Sequence, residues 1–204
     1  MIFEIFKNAL CFFFLNKMLS LMMNFENRDY IISSFHAILT VGLTTNLIIG
    51  NINENQYAYY SSISTGYALF DIINLRNPRA KNTFFLTIHH FIIIFCNLWI
   101  NINPEPYVIK IVSYNYLTEA STPFLNLSMF LYKNKMTNLS LCKINVFNIT
   151  SGCLILIYFV FRILLLTYLS YITAFYNILS YFEMALTLLN YYWFYKILKM
   201  SKII

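Results

Sequence analysis

The chain has three histidines, His36, His89 and His90, and all lie within apolar stretches that also hold Asp71, Glu119 and Glu183. Imidazole changes charge near neutral pH, so it can act as base, acid or nucleophile, and a neighbouring carboxylate decides which ring nitrogen keeps the proton. These residues fall in polar stripes at helical spacing. Ser33, His36, Thr40 and Thr44 share one face of a helix, and Ser64, Tyr67, Asp71 and Asn74 share another. Asn115, Glu119, Thr122 and Asn126 recur at i, i+4, i+7 and i+11. His89, Ile93 and Asn97 form a further face, from which the adjacent His90 points about 100° away. Glu183, Thr187 and Asn190 complete the set, with Arg162 as an isolated guanidinium. The cysteines Cys11, Cys96, Cys142 and Cys153 are scattered singly, with no pairing or metal-ligand spacing, so neither a disulfide nor a metal site is expected.

The elements that position these groups are dictated by composition. Of 204 residues 59% are hydrophobic and 11% charged, with four Gly and four Pro, which does not describe a soluble domain. Apolar stretches at about 3–23, 31–50, 58–75, 83–101, 107–132, 148–171 and 174–197 each approach the ~20 residues needed to span hydrocarbon. Helix is forced there, because every backbone N–H and C=O must be satisfied within the segment. The expectation is an all-α, polytopic transmembrane bundle of six or seven spans around an internal cavity. Pro123 should bend the fifth span locally.

The connecting segments orient the spans. Arg28; Arg76, Arg79 and Lys81; Lys133, Lys135 and Lys143; and Lys196, Lys199 and Lys202 follow the first, third, fifth and seventh spans. Cytoplasmic loops carry the excess of Lys and Arg, so these loops and the C-terminus are expected in the cytoplasm. The net charge of +6 is spread over these loops rather than gathered in a patch, which argues against nucleic acid. The sequons at Asn126, Asn138 and Asn148 should then stay unmodified. Residues 1–25 form the weakest crossing, since Lys7, Asn8, Asn16 and Lys17 leave Ala9–Leu15 as its uninterrupted apolar run; an interfacial helix is the alternative, and no small-residue cleavage site follows it.

A buried ionisable group in a bilayer costs roughly 3 kcal/mol or more, so each requires a partner, a cavity or a function. At about 1.5 Å per residue, His36, Asp71, His89 and His90 fall in the cytoplasmic third of their spans. Glu119, Arg162 and Glu183 lie nearer the middle, where Arg162 with Glu183 reads as an ordering pair. The Ser, Thr and Asn positions read as helix-to-helix glue, whereas the histidines and Asp71 read as functional.

Taken in order, these residues resemble the TLC (Tram, Lag, Cln) family of membrane proteins over about 27–199, with 200–204 left as a short tail. Asn27-Arg28 followed by Ser33-Ser34-Phe35-His36-Ala37 is similar to its opening pattern, Ser64-Thr65-Gly66-Tyr67 with Asp71 to its next, and His89-His90 to its paired histidines. Glu119-Ala120-Ser121-Thr122-Pro123-Phe124-Leu125-Asn126 and Asn190-Tyr191-Tyr192-Trp193-Phe194 with Lys196 resemble later segments. The resemblance implies a lipid-accessible helical bundle in the endoplasmic reticulum, with membrane lipids as partners and a role in lipid homeostasis. His36, Asp71, His89, His90, Glu119 and Asn126 would line its lipid pocket, without a cofactor. An alternative that it implies is acyl transfer of the ceramide synthase type, with acyl-CoA as co-substrate, His89 or His90 acting on the acyl group and Asp71 orienting an imidazole. The second ceramide synthase signature, a His-Asp followed by another Asp, is absent, and the Glu119–Asn126 segment stands in its place, as in the non-synthase branch. Other branches suggest a cargo receptor or translocation accessory. A homo-oligomer is compatible with all of these.

Overall fold

The computed structural model describes residues 1–50, 53–74, 83–141, 144–174 and 178–200. The basic residues Arg76, Arg79, Lys81, Lys143 and Lys202, and Cys142, lie outside these. The described residues are almost wholly helical: α1 (Ile2–Leu19), α2 (Phe25–Ile49), α3 (Glu54–Asn74), α4 (Thr83–Ile102), α5 (Pro106–Asn115), α6 (Thr122–Lys133), α7 (Val146–Tyr158), α8 (Leu166–Thr173) and α9 (Ile178–Met200). A 3-10 turn, Tyr116–Ser121, joins α5 to α6, and a π-helical segment, Phe159–Leu165, joins α7 to α8. The helical segments therefore follow the apolar stretches of the sequence.

Local chemistry sets several boundaries. The Asn24 side chain accepts from the Asn27 backbone N–H at 3.0 Å at the start of α2, and Asn145 accepts from that of Asn148 at 2.9 Å at the start of α7. Pro106 opens α5, where its missing N–H costs nothing. Pro123 lies in the first turn of α6 for the same reason, so the expected bend is realised as a 3-10 turn that ends α5 and restarts the helix. The all-helical reading included no strands. The structure adds a short antiparallel pair, Ser140–Leu141 with Ile144–Asn145, which closes the exposed connection before α7.

Among the described residues three helical stretches are long and apolar enough to cross a membrane: Phe25–Ile49, Phe84–Ile102 and Val146–Thr173, with mean hydropathy of 1.5, 1.7 and 2.3. Large apolar side chains on them, such as Ile38, Phe84, Leu156 and Leu164, stay exposed, as expected of lipid-facing positions.

The chain divides into two compact units. The first comprises Met1–Met23 and Leu39–Leu117, the second Asn24–Ile38 and Thr118–Ile204. In the first, α3 is central, and α1, α4 and α5 pack on it. Its residues from Ser61 to Ala68 are buried on all sides, and most are small, which lets neighbouring helices come close. At Gly66 an added Cβ would lie 2.7 Å from the Asn8 Cβ and 2.9 Å from the Ile5 carbonyl oxygen, so α1 and α3 nearly touch backbone to backbone. Asn8 donates to Ser62 Oγ at 3.0 Å, and Phe12 packs edge-on against Tyr67 at 5.3 Å. The polarity that weakened the first apolar stretch as a crossing thus belongs in part to its docking on α3.

The second unit packs α6 on α7 and α9 on both α7 and α8. Its core cluster is Leu154, Tyr158, Ile163 and Ile197, with Phe124, Leu125, Trp193 and Phe194 packed against it. The Tyr158 and Phe194 rings stack at 5.6 Å. The first part of α2 is tied to α6 by Asn126 Nδ2 donating to Ser34 Oγ at 3.1 Å, and by Lys133 with Glu26 at 3.1 Å.

Candidate functional site

In the first unit, α3 brings Asp71 and α4 brings His90 into contact. His90 Nε2 lies 2.7 Å from Asp71 Oδ2, with side-chain exposures of 6% and 19%. Tyr67, one turn before Asp71 on α3, presents its ring at a steep angle to the imidazole, 6.0 Å between centroids. The His89 ring lies 5.5 Å from that of His90. An ionised carboxylate can only accept, so with Asp71 in that form the ring proton facing it is on Nε2. The second nitrogen, His90 Nδ1, is buried and meets no hydrogen-bonding partner among the described residues. This is an oriented imidazole with one nitrogen uncommitted, the arrangement needed either to bind a donor or to take a proton.

Two turns further along α4, a second polar cluster is closed on itself. Asn97 Oδ1 accepts from Tyr116 Oη at 2.7 Å and Tyr57 Oη at 3.5 Å, while its Nδ2 donates to Thr65 Oγ1 at 2.9 Å. Asn101 Nδ2 donates to Ser61 Oγ at 2.9 Å. All of these groups have partners, so the cluster ties α3, α4 and the 3-10 turn together. Asn97 stood out in the sequence, but nothing separated Tyr57 and Tyr116 from the other tyrosines.

In the second unit the hub is Arg162, buried in the π-helical segment. Its Nε donates to Ser121 Oγ at 2.8 Å and to the Thr118 carbonyl at 3.0 Å. Its Nη1 donates to Asn190 Oδ1 at 3.1 Å, and its Nη2 to Thr122 Oγ1 at 2.9 Å. Its ion pair is with Glu119 at 3.5 Å, not with Glu183 as depth alone suggested. Glu119 Oε2 also accepts from Thr122 Oγ1 at 2.7 Å, and Tyr158 Oη donates to Asn190 Oδ1 at 3.1 Å. Both departures from α-geometry meet here: the π segment carries Arg162, and the 3-10 turn carries the Thr118 carbonyl that receives it. Fixed on three sides, the guanidinium acts as a structural tie.

The predicted pocket residues are thus distributed over two units. Asp71, His89 and His90 belong to the first, with Asp71 and His90 in direct contact. His36, Glu119 and Asn126 belong to the second, where His36 is buried on α2, Glu119 serves Arg162 and Asn126 serves Ser34. Tyr67 gains weight beside them through its contact with His90. Among the described residues no group of three or more His, Cys, Asp or Glu side chains could hold a metal ion, and Cys11, Cys96 and Cys153 are not disulfide-bonded.

Compared with known proteins, residues 30–199 match the family model described as the TLC domain, TRAM_LAG1_CLN8. No curated protein and no solved structure matches the chain.

Proposed function

Because the chain belongs to the TLC domain family, whose members act in lipid biology, we propose that this membrane protein binds a lipid headgroup at the His90–Asp71 pair and thereby acts in lipid homeostasis. The observation that carries the reading is that pair, 2.7 Å apart and largely buried between apolar helices. Two titratable groups withdrawn from water in a protein of this composition are costly to maintain, and the glue role is already filled by the Asn97 and Arg162 clusters. Pairing removes most of the cost and leaves an imidazole whose orientation is set. The chain crosses the membrane six or seven times in this reading. Its basic loops and C-terminus are cytoplasmic, and it resides in the endoplasmic reticulum.

Replacing His89 and His90 with Ala in cells that depend on the protein should change membrane lipid composition while protein level holds. A lipid profile identical to that of the intact protein refutes the reading.

A second reading is favoured by the same geometry. A carboxylate-oriented imidazole is also a general base, and an acyl-CoA-dependent N-acyltransferase would use it on the attacking amine. Purified protein given acyl-CoA and a sphingoid base should then release free CoA, and silence across several acyl lengths removes it.

A further inference from the structure

The connection between α6 and α7 carries an apolar face that belongs to no helix. After Lys133 ends α6 the chain turns through Lys135 at φ 57°, and the short strands Ser140–Leu141 and Ile144–Asn145 pair antiparallel. Residues directly opposite in such a pair share a face, and neighbours along a strand alternate. Leu141 pairs with Ile144, so the two lie on one face, and Leu139 falls on the same side two residues earlier. Leu141, Ile144 and Leu139 are 69%, 52% and 41% exposed. Ser140 and Asn145 pair on the other face, where the Asn145 side chain donates to the Thr137 carbonyl at 2.8 Å and accepts from the Asn148 N–H at 2.9 Å. The polar face is thus tied to the chain's own backbone, and the apolar face is left open.

Position and charge together identify what covers it. Asn145 leads directly into Val146, the first residue of the most apolar of the three membrane-length stretches, so the strand pair lies at the edge of the bilayer that this helix enters. With two residues to each strand, most backbone N–H and C=O groups nearby still need water or headgroups. The backbone cannot sink into hydrocarbon, and only the side chains can. As for charge, no Asp or Glu occurs from 120 to 182, while Lys133 and Lys135 are both exposed. Lys133 has Glu26 at 3.1 Å, but Lys135 forms no ion pair among the described residues. Open apolar side chains beside an unneutralised lysine fit a surface that is apolar below and anionic above, which is the headgroup region of a leaflet containing acidic phospholipid.

We propose that Leu139, Leu141 and Ile144 insert into the membrane interface beside α7, and that Lys135 holds them there through acidic phospholipid headgroups. The connection is then an anchor that responds to the charge of the leaflet. It is independent of the His90–Asp71 pair, which belongs to the other unit.

Tryptophan placed on each face reads its depth. Leu141→Trp and Ser140→Trp change adjacent, exposed positions on opposite faces. Each variant of the full chain is held in nanodiscs of phosphatidylcholine, with or without phosphatidylserine, and the emission of the parent, from Trp99 and Trp193, is subtracted. With phosphatidylserine present, lipids brominated along the acyl chain should quench the Leu141→Trp signal, whereas aqueous acrylamide should quench that of Ser140→Trp. Adding Lys135→Gln to Leu141→Trp should lower the ratio of seated to free face roughly fivefold in phosphatidylserine discs and leave it unchanged in phosphatidylcholine alone. Equal quenching of both variants by acrylamide overturns the insertion, and is the result expected of a face kept for a soluble protein. Seating that ignores phosphatidylserine, or that Lys135→Gln does not move, overturns the role of acidic lipid.

Should either tryptophan variant fail to fold, the intact chain is irradiated in discs whose phosphatidylserine carries a photoreactive acyl chain, and labelled peptides are mapped by mass spectrometry. Label on Leu139, Leu141 or Ile144 supports the anchor. Label on α7 with none on these three overturns it.

Discussion

Gly66→Ala isolates the contact that docks α1. The new Cβ would lie 2.7 Å from Asn8 Cβ, 2.9 Å from the Ile5 carbonyl oxygen and 3.0 Å from the Ala9 nitrogen. Two of the three are backbone atoms of α1, so no side-chain rotation relieves the overlap, and the helices must separate by roughly 0.5–1 Å to regain normal contact distances. That separation stretches the Asn8–Ser62 hydrogen bond and loosens Phe12 from Tyr67 and Phe70. Overpacking of this kind costs about 1–3 kcal/mol. Gly→Ala also favours any helix by up to about 1 kcal/mol, which would mask part of the loss. The control removes this ambiguity, because Gly42 and Gly152 are helical glycines with nothing within 4 Å of an added Cβ. Alanine there should gain the helical preference without the clash. The packing cost is then the difference between Gly66→Ala and either control, about 1–3 kcal/mol. Thermal unfolding of the purified variants in one detergent, followed by circular dichroism, measures it, and protease nicking at Ser20–Met23 reports whether α1 has loosened. Equal stability of Gly66→Ala and Gly42→Ala would show that α1 does not dock as described.

Arg162→Met should destabilise the protein by about 3–5 kcal/mol, because Glu119, Thr122 and Asn190 lose a buried partner together. Arg162→Lys should recover only part of this, since one ammonium cannot serve three nitrogen directions; a Met variant as stable as the parent in chemical unfolding would remove the structural tie. At the exposed end of α6, partial burial lowers the pKa of Lys133, but hydrogen bonds with Tyr30 and Glu26 outweigh it and hold the ammonium above its ordinary 10.5. A pKa raised on folding stabilises fully below 10.5 and ceases to do so as pH rises through the folded value. Both partners are well exposed, so solvent screening limits the pair to at most about 1 kcal/mol. A double-mutant cycle of Lys133→Met with Glu26→Gln should show coupling near neutral pH and none in strong alkali, and coupling that persists in alkali contradicts the assignment.

The sequence was informative wherever a run of apolar residues carries the signal. Apolar runs located the helical stretches closely at some ends and less so at others, as in 31–50 against Phe25–Ile49, because the polar first turns of a helix carry no apolar signal. Asp71 and His90 were legible as chemistry because both are titratable groups in apolar runs. Their contact was not, since it depends on the rotation of α4 against α3. Depth along a span likewise could not choose between Glu119 and Glu183 for Arg162. The choice is made by the π segment, and Phe159–Leu165 holds no Gly or Pro to mark it. The 3-10 turn had a marker in Pro123, but its use, freeing the Thr118 carbonyl to receive a guanidinium, is a tertiary fact. Among the described residues three stretches are long and apolar enough to cross a membrane, and the other helical stretches fall short of that by length or composition. In α3, for example, buried Ser and Thr side chains replace apolar ones.

The division of α2 between the two units sets a schedule for the chain during its synthesis. Asn24–Ile38 belongs with residues that begin at Thr118, while the second part of the same helix belongs with the intervening segment. When Ile38 emerges, its unit's remaining members do not yet exist, and about 80 more residues must be made before Thr118 follows. At synthesis rates of about 5–20 residues per second that is a wait of roughly 4–16 s, long compared with helix formation. Through that interval Ser34 lacks its Asn126 contact and Glu26 its Lys133 contact. The Asn126 and Lys133 contacts that later hold this half of α2 are formed by residues synthesised well after it, so the molecule completes its second unit only after its first has had time to assemble.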